Sequence, residues 1–210
     1  MALEIKTFAL GMIAANCYIV RDTESGDSFV VDPGAYLSGF EEMLEEMKIE
    51  KLRYILLTHG HFDHIMGVKS TKQNYGGKTV IHCDDAPCAT DSSLNLSKKI
   101  GMPCESFDVD IQVKDGDKLA FGDTVIEVIH TPGHTVGSVC YKIGDVLFTG
   151  DTLFKMTIGR TDFPGGSYDE IEQSLKRLYD MEGDFKVYPG HDGATTLDFE
   201  RNNNPYMKGI

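Results

Sequence analysis

The stretch Tyr54-Ile55-Leu56-Leu57-Thr58-His59-Gly60-His61-Phe62-Asp63-His64-Ile65-Met66-Gly67-Val68 decides the fold. Tyr54–Leu57 is a continuous apolar run, as expected of a strand buried on both faces. It delivers the chain into a cluster of three histidines and one aspartate. Ile65–Val68 then predicts the start of a helix. A strand-to-helix loop is where α/β proteins place ligands. Extended backbone puts His59 and His61 on one side, because side chains alternate with period 2. Asp63 and His64, entering a helical turn, point towards a neighbouring centre. Imidazole nitrogens and carboxylate oxygens are donors that Zn, Fe and Mn accept. The competing reading is a polar capping cluster, for which three histidines in so short a span are a poor choice.

The arrangement recurs. His130-Thr131-Pro132-Gly133-His134-Thr135 follows a predicted strand, Thr124–Ile129. Thr149-Gly150-Asp151 follows Val146–Phe148, and Pro189-Gly190-His191-Asp192 follows Lys186–Tyr188. Four strands thus end in His or Asp, which implies a common rim. A carboxylate at a strand end suits a bridge between two ions, since each oxygen can serve one. Further strands are expected at Leu3–Leu10, Cys17–Val20, Phe29–Val31, Val80–His82, Ile111–Val113 and Val139–Ile143. Leu37, Phe40, Leu44 and Met47 share a helix face, with Ser38 and Glu41 patterned as a capping box. Tyr168, Ile171, Leu175, Leu178 and Tyr179 form a second stripe, with Ser167 and Glu170 as its box. A short helix is expected from about Thr196 to Asn202. Segment 84–108 has no clean period and is expected to be a loop with a short helix. Strands with helices between them argue for α/β or α+β with two sheets.

Composition narrows the function classes. The chain has 210 residues, 20 Lys+Arg against 33 Asp+Glu, and a formal charge of −13. Such acidity disfavours nucleic acid, whose affinity rests on Lys and Arg displacing counterions, and anionic membranes. Five cysteines form no CxxC pair and predict reduced, mostly buried thiols in the cytoplasm. Residues 1–6 lack the basic and long apolar segments of a secretory leader. No linker or repeat divides residues 1–210, so a single domain is expected.

The order HxHxDH, HTPGHT, GD, PGH resembles the metallo-β-lactamase superfamily across essentially the whole chain. Leu153–Gly166, Asn16-Cys17-Tyr18 and Glu200-Arg201…Asn204-Pro205 are similar to the small glyoxalase II-like (hydroxyacylglutathione hydrolase-like) hydrolases. The resemblance implies a four-layer αββα sandwich of two mixed sheets flanked by helices. It implies one metal on His59, His61 and His134, and another on Asp63, His64 and His191, with Asp151 bridging. The ions implied are two divalent metals, Zn foremost, with Fe or Mn also fitting the set. Metallo-β-lactamases proper differ in being secreted and in generally lacking the bridging Asp. Full-length glyoxalase II carries a C-terminal helical region for glutathione, whereas only residues 192–210 follow His191 here, so that region is expected to be absent.

Five neutral imidazoles and two carboxylates around two divalent ions leave a positive centre, which lowers the pKa of water towards ~7. Hydroxide held by metal would attack a thioester or ester, and a thiol of pKa ~8.5 leaves with little acid assistance. Asp63 and Asp151 are the catalytic candidates, Asp63 as ligand and orienter. Arg160 is a candidate partner for a substrate carboxylate, against the alternative of a salt bridge to Asp162. Lys155, with Phe154 and Met156, is placed at the entrance. His130 reads as a supporting or core histidine, and His82, Cys17 and Cys140 as structural. The expected partner is a small-molecule thioester. A second hypothesis is a persulfide dioxygenase with one iron on His59, His134 and Asp151. Relatives of that kind tend to carry Ala where this chain has Gly190. A third is a metal-binding protein without catalysis.

Overall fold

A computed structural model describes residues 2–102 and 104–209. Sheet one takes its strands in chain order: β1 (Leu3–Leu10), β2 (Ala15–Asp22), β3 (Ser28–Val31), β4 (Tyr54–Leu56), β5 (Lys78–His82) and β6 (Ile111–Val113). Its first two pairings are antiparallel and the rest parallel. Sheet two begins with the antiparallel run β7 (Lys118–Phe121), β8 (Thr124–His130), β9 (Val139–Ile143) and β10 (Val146–Gly150). A hairpin, β11 (Leu153–Phe154) and β12 (Thr157–Ile158), leads away. The chain returns through β13 (Lys186–Pro189), parallel to β10, and β14 (Thr195–Thr196) at the edge. Both sheets are mixed.

Alternation within strands builds the layers. In β2, Tyr18 and Val20 join Phe29, Val31, Phe121, Val128, Tyr141 and Phe148 between the sheets. Cys17 and Ile19, one residue out of phase, face the opposite way, with Phe40, Leu44, Ile65 and Val68. Those residues come from α1 (Ser38–Glu46), α2 (Phe62–Ile65) and α3 (Val68–Tyr75), which cover sheet one. Beyond the short α4 (Ser97–Ile100), α5 (Tyr168–Tyr179) and α6 (Leu197–Asn203) cover the outer face of sheet two. There Leu175, Leu178 and Leu197 meet Ile129, Cys140, Leu147 and Val187. Each such side chain taken out of water contributes roughly 1.5–3 kcal/mol. The result is the expected αββα order, with Cys17 and Cys140 fully buried.

Three local expectations change. Ser38 does not cap α1: Leu37 occupies the cap position in extended backbone and makes no side-chain cap bond. Ser167 does cap α5, accepting from Glu170 N at 3.3 Å. The helix expected near Ile65 begins earlier, at Phe62, so Asp63 and His64 stand inside its first turn. Strand β7, the hairpin and β14 add to the strands that the sequence predicts. Among the described residues no helix is long and apolar enough to cross a membrane.

Candidate metal centre

Strands from both sheets bring the four motifs to one rim. The loop after β4 carries His59 and His61, and α2 carries Asp63 and His64. His134 follows β8, Asp151 follows β10, and His191 follows β13. Donor atoms of His59, His61 and His134 lie within 4.8 Å of one another, and so do those of Asp63, His64 and His191. Asp151 stands between the groups. Its Oδ2 is 3.4 Å from His134 Nε2 and 3.7 Å from His191 Nε2, while Oδ1 is 3.4 Å from His64 Nε2. Asp63 Oδ2 lies 3.5 Å from His64 Nε2 and 3.3 Å from His191 Nε2. His61 Nδ1 and His134 Nε2 face each other at 2.9 Å.

The donor set fits cations. His59 Nε2, His64 Nε2 and Asp151 Oδ1 are buried without a hydrogen-bond partner. A buried orphan polar atom costs about 1–3 kcal/mol, which an ion among them removes. Burial, and then the neighbouring histidines, hold His59 well below the usual imidazole range and His61 at about 3. Both are neutral donors with a lone pair at neutral pH. Burial also opposes charge on His64, but Asp63, Asp151 and the Asp32 hydrogen bond push it up to about 10. Burial works against the Asp63 carboxylate too, yet His64 and His191 hold it well below its ordinary range.

Residues outside the motifs aim these ligands. Asp32, at the end of β3, accepts from Thr58 N (2.8 Å) and Thr58 Oγ1 (2.6 Å) and lies 3.1 Å from His64 Nδ1. Asp85 accepts from Gly60 N, Thr135 Oγ1 and Gly137 N at 2.8–2.9 Å, tying the His59 loop to the His134 loop. Asn16 donates from Nδ2 to Pro189 O and Asp192 O, on either side of His191. The Asp32 signal was present in the sequence as a fifth apolar strand ending in a carboxylate; Pro33-Gly34 after it reads as a turn instead. Asp85 and its three donors are spread over the chain, so no local pattern marks them.

The remaining candidates separate. Arg160 lines the cavity over the centre, but its guanidinium is held by Asp162 through two 2.6 Å bonds. Its carbonyl lies 2.7 Å from His134 Nδ1 and fixes that ring. Phe154 lines the cavity, whereas Lys155 is exposed and not part of the lining. His130 stacks on buried His82 at 4.1 Å and 9°. Parallel rings cannot both point a lone pair at one ion, so this pair with Asp84 is not a preformed centre despite its proximity. The cavity has a volume of about 730 Å³ and includes a wall the motifs do not reveal: Leu96, Lys99 and Ile100, from the segment expected to be loop with short helix.

Residues 10–191 match the metallo-beta-lactamase superfamily as a family. The chain belongs to that superfamily. Among its relatives, the hydroxyacylglutathione hydrolase GloC of Haemophilus influenzae is 30% identical over 98% of both chains. Three solved structures extend the likeness. A B3 metallo-beta-lactamase, BLEG-1, superposes with TM-score 0.92 and 31% identity, covering 98% of this chain and all of that one. TTHA1623 in a di-iron-bound form gives 0.84 and 31%, covering 96% and 99%. ETHE1 from Myxococcus xanthus gives 0.78 and 27%, covering 96% and 83%. The superfamily membership and the His/Asp clusters together make this a divalent-metal site of the superfamily.

Proposed function

We propose that this protein is a binuclear metallohydrolase of thioesters, in the cytoplasm, with zinc as its foremost metal. The observation that carries the reading is Asp151, whose carboxylate lies 3.4 Å from His134 of one donor set and 3.4 and 3.7 Å from His64 and His191 of the other. His59, His61 and His134 would hold one ion, and Asp63, His64 and His191 the other. Bound there, the metals supply a water of lowered pKa and polarise a carbonyl oxygen. The protein's own residues do the rest. Asp63 sits on the cavity wall, where a carboxylate can orient the attacking water. Asp32 and the Arg160 carbonyl keep the His64 and His134 rings in place. Hydrolysis forms a C–O bond and breaks the C–S bond, giving an acid and a thiol, and the thiol departs as a good leaving group.

GloC supports the substrate class, and it matches over 98% of its own length, so its activity goes with a chain of this extent. Free thiols at all five cysteines agree with a reducing compartment. Gly190 weighs against the one-iron dioxygenase, since relatives of that kind tend to carry Ala at this position. The test is metal analysis of the purified protein with assays on S-lactoylglutathione. Two ions per chain and thioester loss without oxygen uptake are expected. Asp151→Ala should lose metal and about 100-fold or more in kcat/KM together. Unchanged turnover in that variant, oxygen consumption with a persulfide, or faster cleavage of a β-lactam than of any thioester would overturn the reading.

A further inference from the structure

The cavity above the centre is far more apolar than a small hydroxyacyl group needs. Ile13, Phe62, Leu96, Ile100, Phe154 and Ile158 line it. Ile13 and Ile100 are 51% and 44% exposed, large apolar side chains left facing water at the mouth. Leu96 is the most constrained of the six. It is 6% exposed and its φ is +67°, a left-handed conformation costly for a branched side chain. Neighbouring bonds hold it there: Asn95 Oδ1 accepts from Ser97 N, Asn95 Nδ2 donates to Cys88 O, and Asn95 O accepts from Phe62 N beside the metal loop. Backbone strain of this kind persists at ligand sites when the surroundings enforce it.

Two cations meet this apolar wall at Phe163, whose ring packs edge-on against His61 at 5.6 Å. Arg160 lies 4.0 Å from the Phe163 centroid and is neutralised by Asp162. Lys99 Nζ lies 5.0 Å from the same ring; among the described residues it makes no ion pair within 4 Å and feels Asp162, already engaged by Arg160, only at longer range. The cation available to an anionic ligand is therefore Lys99 rather than Arg160.

We propose that the substrate of this site joins an apolar acyl chain through a thioester to an anionic carrier, the chain lying on Leu96, Phe62 and Ile100 and the anion on Lys99. The chemistry of the bond rests on the hydrolase reading above; the pocket assignment rests on the wall itself. The anion can be a carboxylate, as in a glutathione-type carrier, or a phosphate, as in a coenzyme A-type carrier.

Binding is tested with thioethers, which no hydrolase cleaves. S-octylglutathione should bind wild-type protein about 100-fold more tightly than S-methylglutathione, the added methylenes being partly buried. Leu96→Ala should reduce that ratio about tenfold. Lys99→Ala should weaken both thioethers about fivefold and raise KM for octanoyl-glutathione or octanoyl-coenzyme A, whichever carrier is used, more than for the neutral octanoyl-N-acetylcysteamine thioester; equal effects on charged and neutral thioesters would overturn the assignment of the anion to Lys99. The larger Lys99→Ala effect of the two anionic carriers identifies the source of the anion. Equal binding of the octyl and methyl thioethers, or a kcat/KM higher for S-lactoylglutathione than for S-octanoylglutathione, would overturn the proposal. Tight octyl binding with no cleavage of any thioester by metal-loaded protein would instead overturn the hydrolase reading and leave the pocket standing.

Discussion

Gly190 has no room for a side chain. A Cβ there would lie 2.2 Å from Asp151 Oδ1 and 2.9 Å from His64 Cε1, so it would push apart two of the candidate ligands. Gly190→Ala should therefore cost roughly 10–100-fold in metal affinity, the scale seen when the groups around a metal ligand are disturbed. Gly193→Ala is the matched control, because nothing lies within 4 Å of a Cβ there. Metal content after dialysis against a weak chelator separates the two; equal retention would contradict the geometry. At this scale the candidate ligands were legible because each of their motifs begins where an apolar strand stops. Asp32 shared that signature and was masked by the turn after it. Asp85 was illegible for a different reason. Its role is to join Gly60, Thr135 and Gly137, and residues brought together only by folding leave no spacing to read.

Two helices carry the same Ser-x-x-Glu pattern and only one uses it. Ser167 lies in extended backbone before α5 and its hydroxyl accepts from Glu170 N. Ser38 is already inside α1, because Leu37 takes the extended cap position. The entry to α1 is set by packing: Tyr36 meets Phe40 edge-on, and Phe8 from β1 lies 3.0 Å from where a Gly39 Cβ would be. Tertiary contact moves the helix start by one residue, and the serine loses its partner. Ser167→Ala should lower unfolding free energy by about 1 kcal/mol, and Ser38→Ala should stay within about 0.5 kcal/mol. Urea denaturation of both variants at one pH checks this; equal losses would mean that both serines cap. The long strands were readable from their apolar runs. The hairpin strands and β14 have two residues each, too few to show a period.

The candidate centre is built across the sandwich, and that placement has a thermodynamic consequence. Sheet one and its helix supply His59, His61, Asp63 and His64, whereas sheet two supplies His134, Asp151 and His191. The alternation in β2 and its partners makes the layers readable, but not that β13 lies beside β10, since periodicity specifies a face and not a neighbour. Only the folded chain brings the two halves of the site together, so metal binds the native state and stabilises it by mass action. At free metal about 1,000 times Kd the gain is about 4 kcal/mol, which for a chain of this size raises Tm by roughly 8–16 °C. Calorimetry with and without chelator measures it. The net charge of −13 sets the competing explanation, because divalent ions also relieve self-repulsion at an acidic surface. The two are separable by salt and by mutation. Surface screening fades as ionic strength rises, with a Debye length of about 10 Å at 0.1 M, whereas ions held among buried ligands persist. The Tm shift should thus survive 0.5 M NaCl in the wild type and largely vanish in Asp151→Ala at any salt; a shift of equal size in that variant would place the ions on the acidic surface and not between the sheets.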